Sequence, residues 1–248
     1  MAPGKGRWGQ GCPRGSSLTE EGTDIPRSSV DTRGRLVSAA ERLFAEYGII
    51  AVSLRQVARE AGQANTGAIQ YHFGDRQGLL AAVVRKHWSD SEPRRHALLD
   101  RYEDTAGGEL RELAAALVLP PAAKLSDPDG GRAYLRISAE LYNRPAPLVG
   151  LDLDPDRWTS MPRWHALLSE FLPTGDRGAT YTRLAAIRFA FDELGRRAGS
   201  PPKADDRAFV NALIDHVTSL LRTRPSPQTL QAVAREPDAA TSAGSGAH

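Results

Sequence analysis

The chain has 248 residues, 40% of them hydrophobic, which is enough for one sizeable core or two small ones. A formal net charge of +2 excludes a polycation, so any affinity for nucleic acid must come from local clustering. One cysteine, Cys12, cannot form an internal disulfide or a cysteine-based metal site. No apolar run approaches the roughly 20 residues of a membrane helix, and the N-terminus lacks the apolar core of a signal peptide; a cytoplasmic protein is expected.

Residues 1–31 carry Gly, Pro, Ser and scattered charge without a period, as do residues 224–248, and both are expected to be disordered. Between them every periodic segment has helical spacing, so the expected fold class is all-α. Leu36, Val37, Ala40, Leu43 and Phe44 share one face of a first helix that Gly48 can end. Ser53 opens a second helix with Gln56 three residues on, a capping-box spacing, and Leu54, Val57, Ala58 and Ala61 form its apolar stripe. After Gly62, Asn65 can cap a third helix whose buried pair is Ile69 and Phe73. Gly74 and Asp75 break and recap the chain into a fourth helix with Leu79, Leu80, Val83 and Val84.

Three helices with a short glycine turn between the second and third make a helix-turn-helix over 32–78. The third helix has few apolar residues, so Thr66, Gln70, Tyr71 and His72 are free to face a partner, and Gly67 keeps that face low. Charge agrees: from Thr32 to Trp88 eight arginines and lysines stand against four carboxylates, a net of +4, leaving −2 for the remainder.

The stretch "LVSAAERLFAEYGIIAVSLRQVAREAGQANTGAIQYHFGDRQGLLAAVV" resembles the DNA-binding region of the TetR family of bacterial transcriptional regulators. The matching marks are "AAERLFAEYG", "SLRQVAREAG" and "YHFGDRQGLL". Two features depart from the commonest family form: a turn, "GQAN", one residue longer, and Thr66 where many members carry lysine. The resemblance implies a third helix docked in the major groove of double-stranded DNA, with Thr66 and Gln70 toward base edges and Gly67 allowing the close approach. Tyr71, His72, Ser53, Arg55 and Arg76 would then hold phosphates. Arg33 and Arg35 could enter the minor groove. Against this stand plainer readings: Tyr71 as a half-buried aromatic, His72 as a packing histidine, and Arg55 and Arg76 as solvated charges.

Residues 79–223 are expected to form a larger helical domain punctuated at Pro93, Gly107-Gly108, Pro120-Pro121, "SDPDGG", "NRPAP" and "PTGDRG". By family resemblance it would bind a small effector and dimerise. Tyr134, Tyr142, Trp158, Met161, Trp164 and His165 are candidates to line the pocket, although aromatic residues at helical spacing are more often core. Tyr181, Leu184, Ile187, Phe191 and Leu194 form one stripe; Phe209, Val210, Leu213, Ile214, Val217, Leu220 and Leu221 form a broader one. Two such helices per subunit suit a homodimer with two recognition helices, and hence a palindromic operator. No cofactor or metal is expected, since the six histidines have no i, i+4 pairing. The expected function is a ligand-responsive transcriptional regulator, most often a repressor in the resembled family. The alternatives are an enzyme built on the C-terminal helices and a nonspecific DNA-binding protein.

Overall fold

In the computed structural model, residues 27–105, 108–144, 158–172, 177–224 and 226–235 are described, and all their regular elements are helical. α1 (Arg27–Tyr47) buries Leu36, Val37, Ala40 and Phe44 and ends at Gly48 with φ of 88°. α2 (Leu54–Glu60) and α3 (Gly67–Phe73) are single short elements that cannot be stable alone, and they are held by a shared core of Val57, Ala58 and Ile69 against α1.

α4 (Arg76–Asp104) serves two cores. Its first turns bury Leu79, Leu80, Val83 and Val84 with α1–α3, whereas Leu99 and Tyr102 belong to the C-terminal core. Pro93 lies inside this helix rather than breaking it. Pro93 and Ser89 are both exposed, so the carbonyl that proline leaves without its helical donor faces water. Pro120 and Pro121 likewise sit within the last turn of α5 (Leu110–Ala122), which a short 3₁₀ turn (Ala123–Ser126) follows.

α6 (Gly131–Tyr142), α7 (Ser160–Leu168), α8 (Arg177–Gly199) and α9 (Arg207–Arg222) complete the larger bundle, with α6 against α8 and α9 along α5 and α8. α6 also reaches the N-terminal core, contributing Ile137 and Leu141 to it. The two cores are thus joined by α4 and α6 rather than by a linker.

Two segments read as disordered are partly helical. α1 begins at Arg27, inside the span 1–31, because a nucleated helix gains one hydrogen bond for each residue it adds, and Asp31 pairs with Arg35 at 3.4 Å, one turn on. Inside the span 224–248, α10 (Pro227–Arg235) starts with the Ser226 hydroxyl accepting the Thr229 N–H at 3.2 Å and proline in the first helical position. The rest of both spans, with most of "NRPAP" and "PTGDRG", lies outside the described residues.

Candidate functional site

Ser53 closes the capping box that its spacing predicts: its hydroxyl accepts the Gln56 N–H at 3.2 Å, and Gln56 Oε1 accepts the Ser53 N–H at 2.7 Å. Asn65 Oδ1 accepts the Gly67 N–H at 2.8 Å and so caps α3, while the Thr66 side chain makes no capping bond. Asp75 caps α4 through the Gly78 N–H at 2.9 Å. At Gly78 an added Cβ would lie 1.9 Å from the Phe73 carbonyl, so only glycine lets α4 start this close beneath α3.

These caps present one face of α3 to solvent. Ile69 is fully buried and Phe73 half-buried, while Gly67, Gln70 and Tyr71 are exposed and Thr66 and His72 partly so. Tyr71 is 82% exposed, which excludes a half-buried aromatic. The Tyr71 and His72 rings meet edge to face at 4.9 Å, holding the phenol beside the imidazole. Arg55 is exposed on α2. Arg33 lies over the Phe73 ring at 5.3 Å and Arg35 bonds Asp31 and Thr32, so both belong to the body of α1 rather than to a free arm. Arg76 donates to the Ile49 carbonyl at 2.7 Å and is half-buried, so part of its guanidinium ties α4 to the turn after α1.

The second feature is a partly enclosed cavity of about 100 Å³ between α4, α6, α7 and α8. Four of the six residues expected there line it: Tyr134, Tyr142, Trp158 and Met161. Trp164 does not; it is fully buried and donates its indole N–H to the Leu113 carbonyl at 2.8 Å, as a core residue of α7. Nor does His165, whose ring packs on Trp164 and whose pKa is lowered by burial and by Arg183. Phe191, expected at a dimer interface, instead stacks on Tyr142 at 4.3 Å and lines the cavity.

The sequence reading missed the polar wall. Arg95, buried at 5% exposure, donates to the Ala116 carbonyl at 3.1 Å and to Ser160 Oγ at 2.9 Å. Glu92 lies 3.5 Å away and accepts both the Ser160 hydroxyl, at 2.6 Å, and the Ser160 N–H, at 3.0 Å. Burial lowers the pKa of Arg95, pushes Tyr134 up to about 12 and raises Tyr142 further still. "SDSEPRRH" reads as a solvated charge run around a proline, and nothing local marks two of its charges as buried. Among the described residues no cluster of three or more His, Cys, Asp or Glu is placed to hold a metal.

Residues 36–83 match the model of the tetR family of bacterial regulatory proteins. The HTH-type transcriptional repressor Rv1474c of Mycobacterium tuberculosis is 34% identical over 129 residues, 47% of this chain and 66% of that protein. The HTH-type transcriptional regulator HbdR of Aromatoleum sp. is 38% identical over 60 residues, 24% of this chain and 26% of that protein. Over residues 36–83 the chain is of the tetR family. It spans less than two thirds of the length of these curated relatives. Among solved structures, one described as "Molecular basis for control of antibiotic production by a bacterial hormones" aligns with a TM-score of 0.42 at 21% identity, covering 77% of this chain and 96% of that one.

The two features of this chain are physically connected. Tyr134, on the cavity wall, stacks on the His87 ring at 4.6 Å, and His87 Nε2 is hydrogen-bonded to Glu41 of α1. Lys86 Nζ adds an ion pair to Glu41 at 3.0 Å and another to Asp129 at 2.7 Å. Gly130, at φ 81°, leaves the space that the Glu41 carboxylate fills; a Cβ there would lie 1.9 Å from it. A second tie runs from α6, where Glu140 accepts the Ile49 N–H at 2.9 Å.

The residues expected at a dimer interface divide. Ile187, Phe191, Leu213 and Val217 are buried within their own subunit, because α9 packs its inner face on α5 and α8. Leu184 is 37% exposed, while Phe209, Val210 and Leu220 are only partly covered. Among the described residues no helix is long and apolar enough to cross a membrane.

Proposed function

We propose that this chain is a homodimeric, sequence-specific transcriptional regulator, acting as a repressor that a small, largely apolar effector releases from a palindromic operator. The observation that carries the reading is the exposed Gln70–Tyr71–His72 face of α3, backed by Ile69 and framed by the capped start of α2. Gln70 can pair bidentately with adenine in the major groove, beside Thr66 and Gly67. Tyr71, His72, Ser53 and Arg55 take phosphates and set register. Arg76 adds to this only with the donors left by its bond to Ile49. The names of the relatives support repression, and the net +4 of residues 32–88 supports attraction to DNA.

The dimer reading rests on the outer edge of α8 and α9, where Tyr181 is 55% exposed beside Leu184, with Phe209, Val210 and Leu220 half-covered. Two copies joined there present two recognition helices. The cavity acts on DNA through α4 and α6, which carry both its walls and the pins on Glu41 and Ile49. An effector that binds one arrangement of these helices better than the other shifts the population between them.

The test is fluorescence-anisotropy binding to the DNA upstream of the chain's own gene at about 0.15 M salt, against a shuffled duplex, with genome-wide selection of bound fragments alongside. A preference of about 10³-fold or more for one palindromic fragment is expected. Equal binding to every duplex overturns the reading.

A further inference from the structure

The cavity holds donors in excess of acceptors. Trp158 Nε1 is buried and has no hydrogen-bond partner among the described residues. The hydrogen bonds of Arg95 use Nε and Nη1, so Nη2 carries none to the described residues. On the acceptor side both oxygens of Glu92 are occupied by Ser160. The nearby hydroxyl of Ser91 is turned to the His87 carbonyl at 3.3 Å. A buried donor without a partner is costly, and a ligand atom that accepts its proton removes that cost.

Charge narrows the class. Arg95 and Glu92 lie 3.5 Å apart and offset one another, so a ligand bringing its own charge would leave a net charge in a partly enclosed, largely apolar space. Size and shape narrow it again. About 100 Å³ is well below the roughly 300–1,000 Å³ of sites for drug-sized molecules, and nearer the ~150 Å³ apolar cavity that holds benzene. The walls are flat rings: Trp88 and Trp158 meet edge to face at 5.3 Å, and the stacked pair Tyr142–Phe191 stands among them.

We propose that the cavity binds a neutral, single-ring aromatic molecule bearing a hydrogen-bond-accepting oxygen, which takes the Trp158 Nε1 proton and lies against the Tyr142–Phe191 pair. This rests on the reading of the cavity as the effector site and specifies its ligand. The oxygen lies toward Arg95 and the ring edge toward Met161, so Trp158 discriminates between an oxygen-bearing ring and a plain hydrocarbon of the same size.

Calorimetric titration of the full chain, without DNA, uses four probes of nearly equal size: acetophenone, isopropylbenzene, benzoate and benzylammonium. Acetophenone is expected to bind most tightly, ahead of isopropylbenzene by about 2- to 10-fold, the net worth of one hydrogen bond. Trp158→Phe keeps an aromatic side chain, though a smaller one, and removes the donor. Both affinities shift with the altered wall, so the readout is their ratio, which should fall to within about twofold. Tightest binding by benzoate or benzylammonium overturns the neutral class. Equal binding of acetophenone and isopropylbenzene to the unaltered chain overturns the role of the Trp158 donor. If no probe binds while the protein still selects one operator, this proposal fails and the DNA reading stands. If acetophenone binds as expected but leaves operator affinity unchanged, the ligand class stands and the effector reading fails.

Discussion

The two halves of the molecule place their candidate functional side chains in opposite ways. In the N-terminal helices the apolar residues are buried and what remains on α3 is the candidate face: Gln70 and Tyr71 stand in solvent because Ile69 does not. In the C-terminal bundle the candidate residues are themselves buried; Arg95, Glu92 and Tyr134 line a cavity and are surrounded by core. An exposed site tolerates substitution of its members without loss of fold. A buried one makes each member both structural and functional. Glu41 and His87 lie where the halves meet and share the second character, although Glu41 belongs to α1.

The contrast can be broken at its strongest point first. Glu41→Ala takes the buried carboxylate from His87 and leaves Lys86 with Asp129 alone, and should lower unfolding free energy by about 3 kcal/mol, read by urea denaturation. Little change would mean that the junction is not a structural tie. On the exposed face, Gln70→Ala should leave stability within about 0.5 kcal/mol. The same variant should relax discrimination at one operator base pair by about 1–3 kcal/mol, whereas Tyr71→Phe weakens all sequences alike. A sequence-selective loss with Tyr71→Phe would move that residue from phosphate to base contact.

Ser53→Ala removes the capping box and should cost about 1 kcal/mol of stability in thermal denaturation, with or without DNA. A loss of DNA affinity beyond that seen in the stability measurement would add the phosphate role. The smallest effect is at His165. Its folded pKa lies below the unfolded value near 6.5, so the folded state binds fewer protons and its stabilising contribution is present above that pH and lost as pH falls through it. His165→Asn should therefore flatten the decline in melting temperature between pH 7.5 and 5.5, as followed by circular dichroism at about 0.5-unit steps. An unchanged slope removes His165 from the groups that set it.

The legibility of each half follows from the range of the interactions that build it. Ser53 with Gln56, Asn65 with Gly67 and Asp75 with Gly78 are hydrogen bonds between near neighbours, so spacing alone revealed the second, third and fourth helix starts. The same kind of signal, Ser226 before Pro227, opened a C-terminal helix within a segment whose composition reads as disordered. In the bundle, apolar spacing identified α8 and α9 but not their partners. Ile187, Phe191, Leu213 and Val217 have the same periodicity whether they face α5, a cavity or another subunit.

By itself the sequence determined the all-helical class, the tetR-type helix-turn-helix and the face that α3 turns outward, because each depends on periodicity, caps and glycines within a turn or two. Only the tertiary structure decided that Trp164 is core and Phe191 cavity wall, that Arg95 and Glu92 are buried together, and that Glu41 meets His87 from 46 residues away. Those outcomes depend on how α4, α6, α7 and α8 pack against one another, and the same amphipathic pattern is compatible with every one of the alternatives.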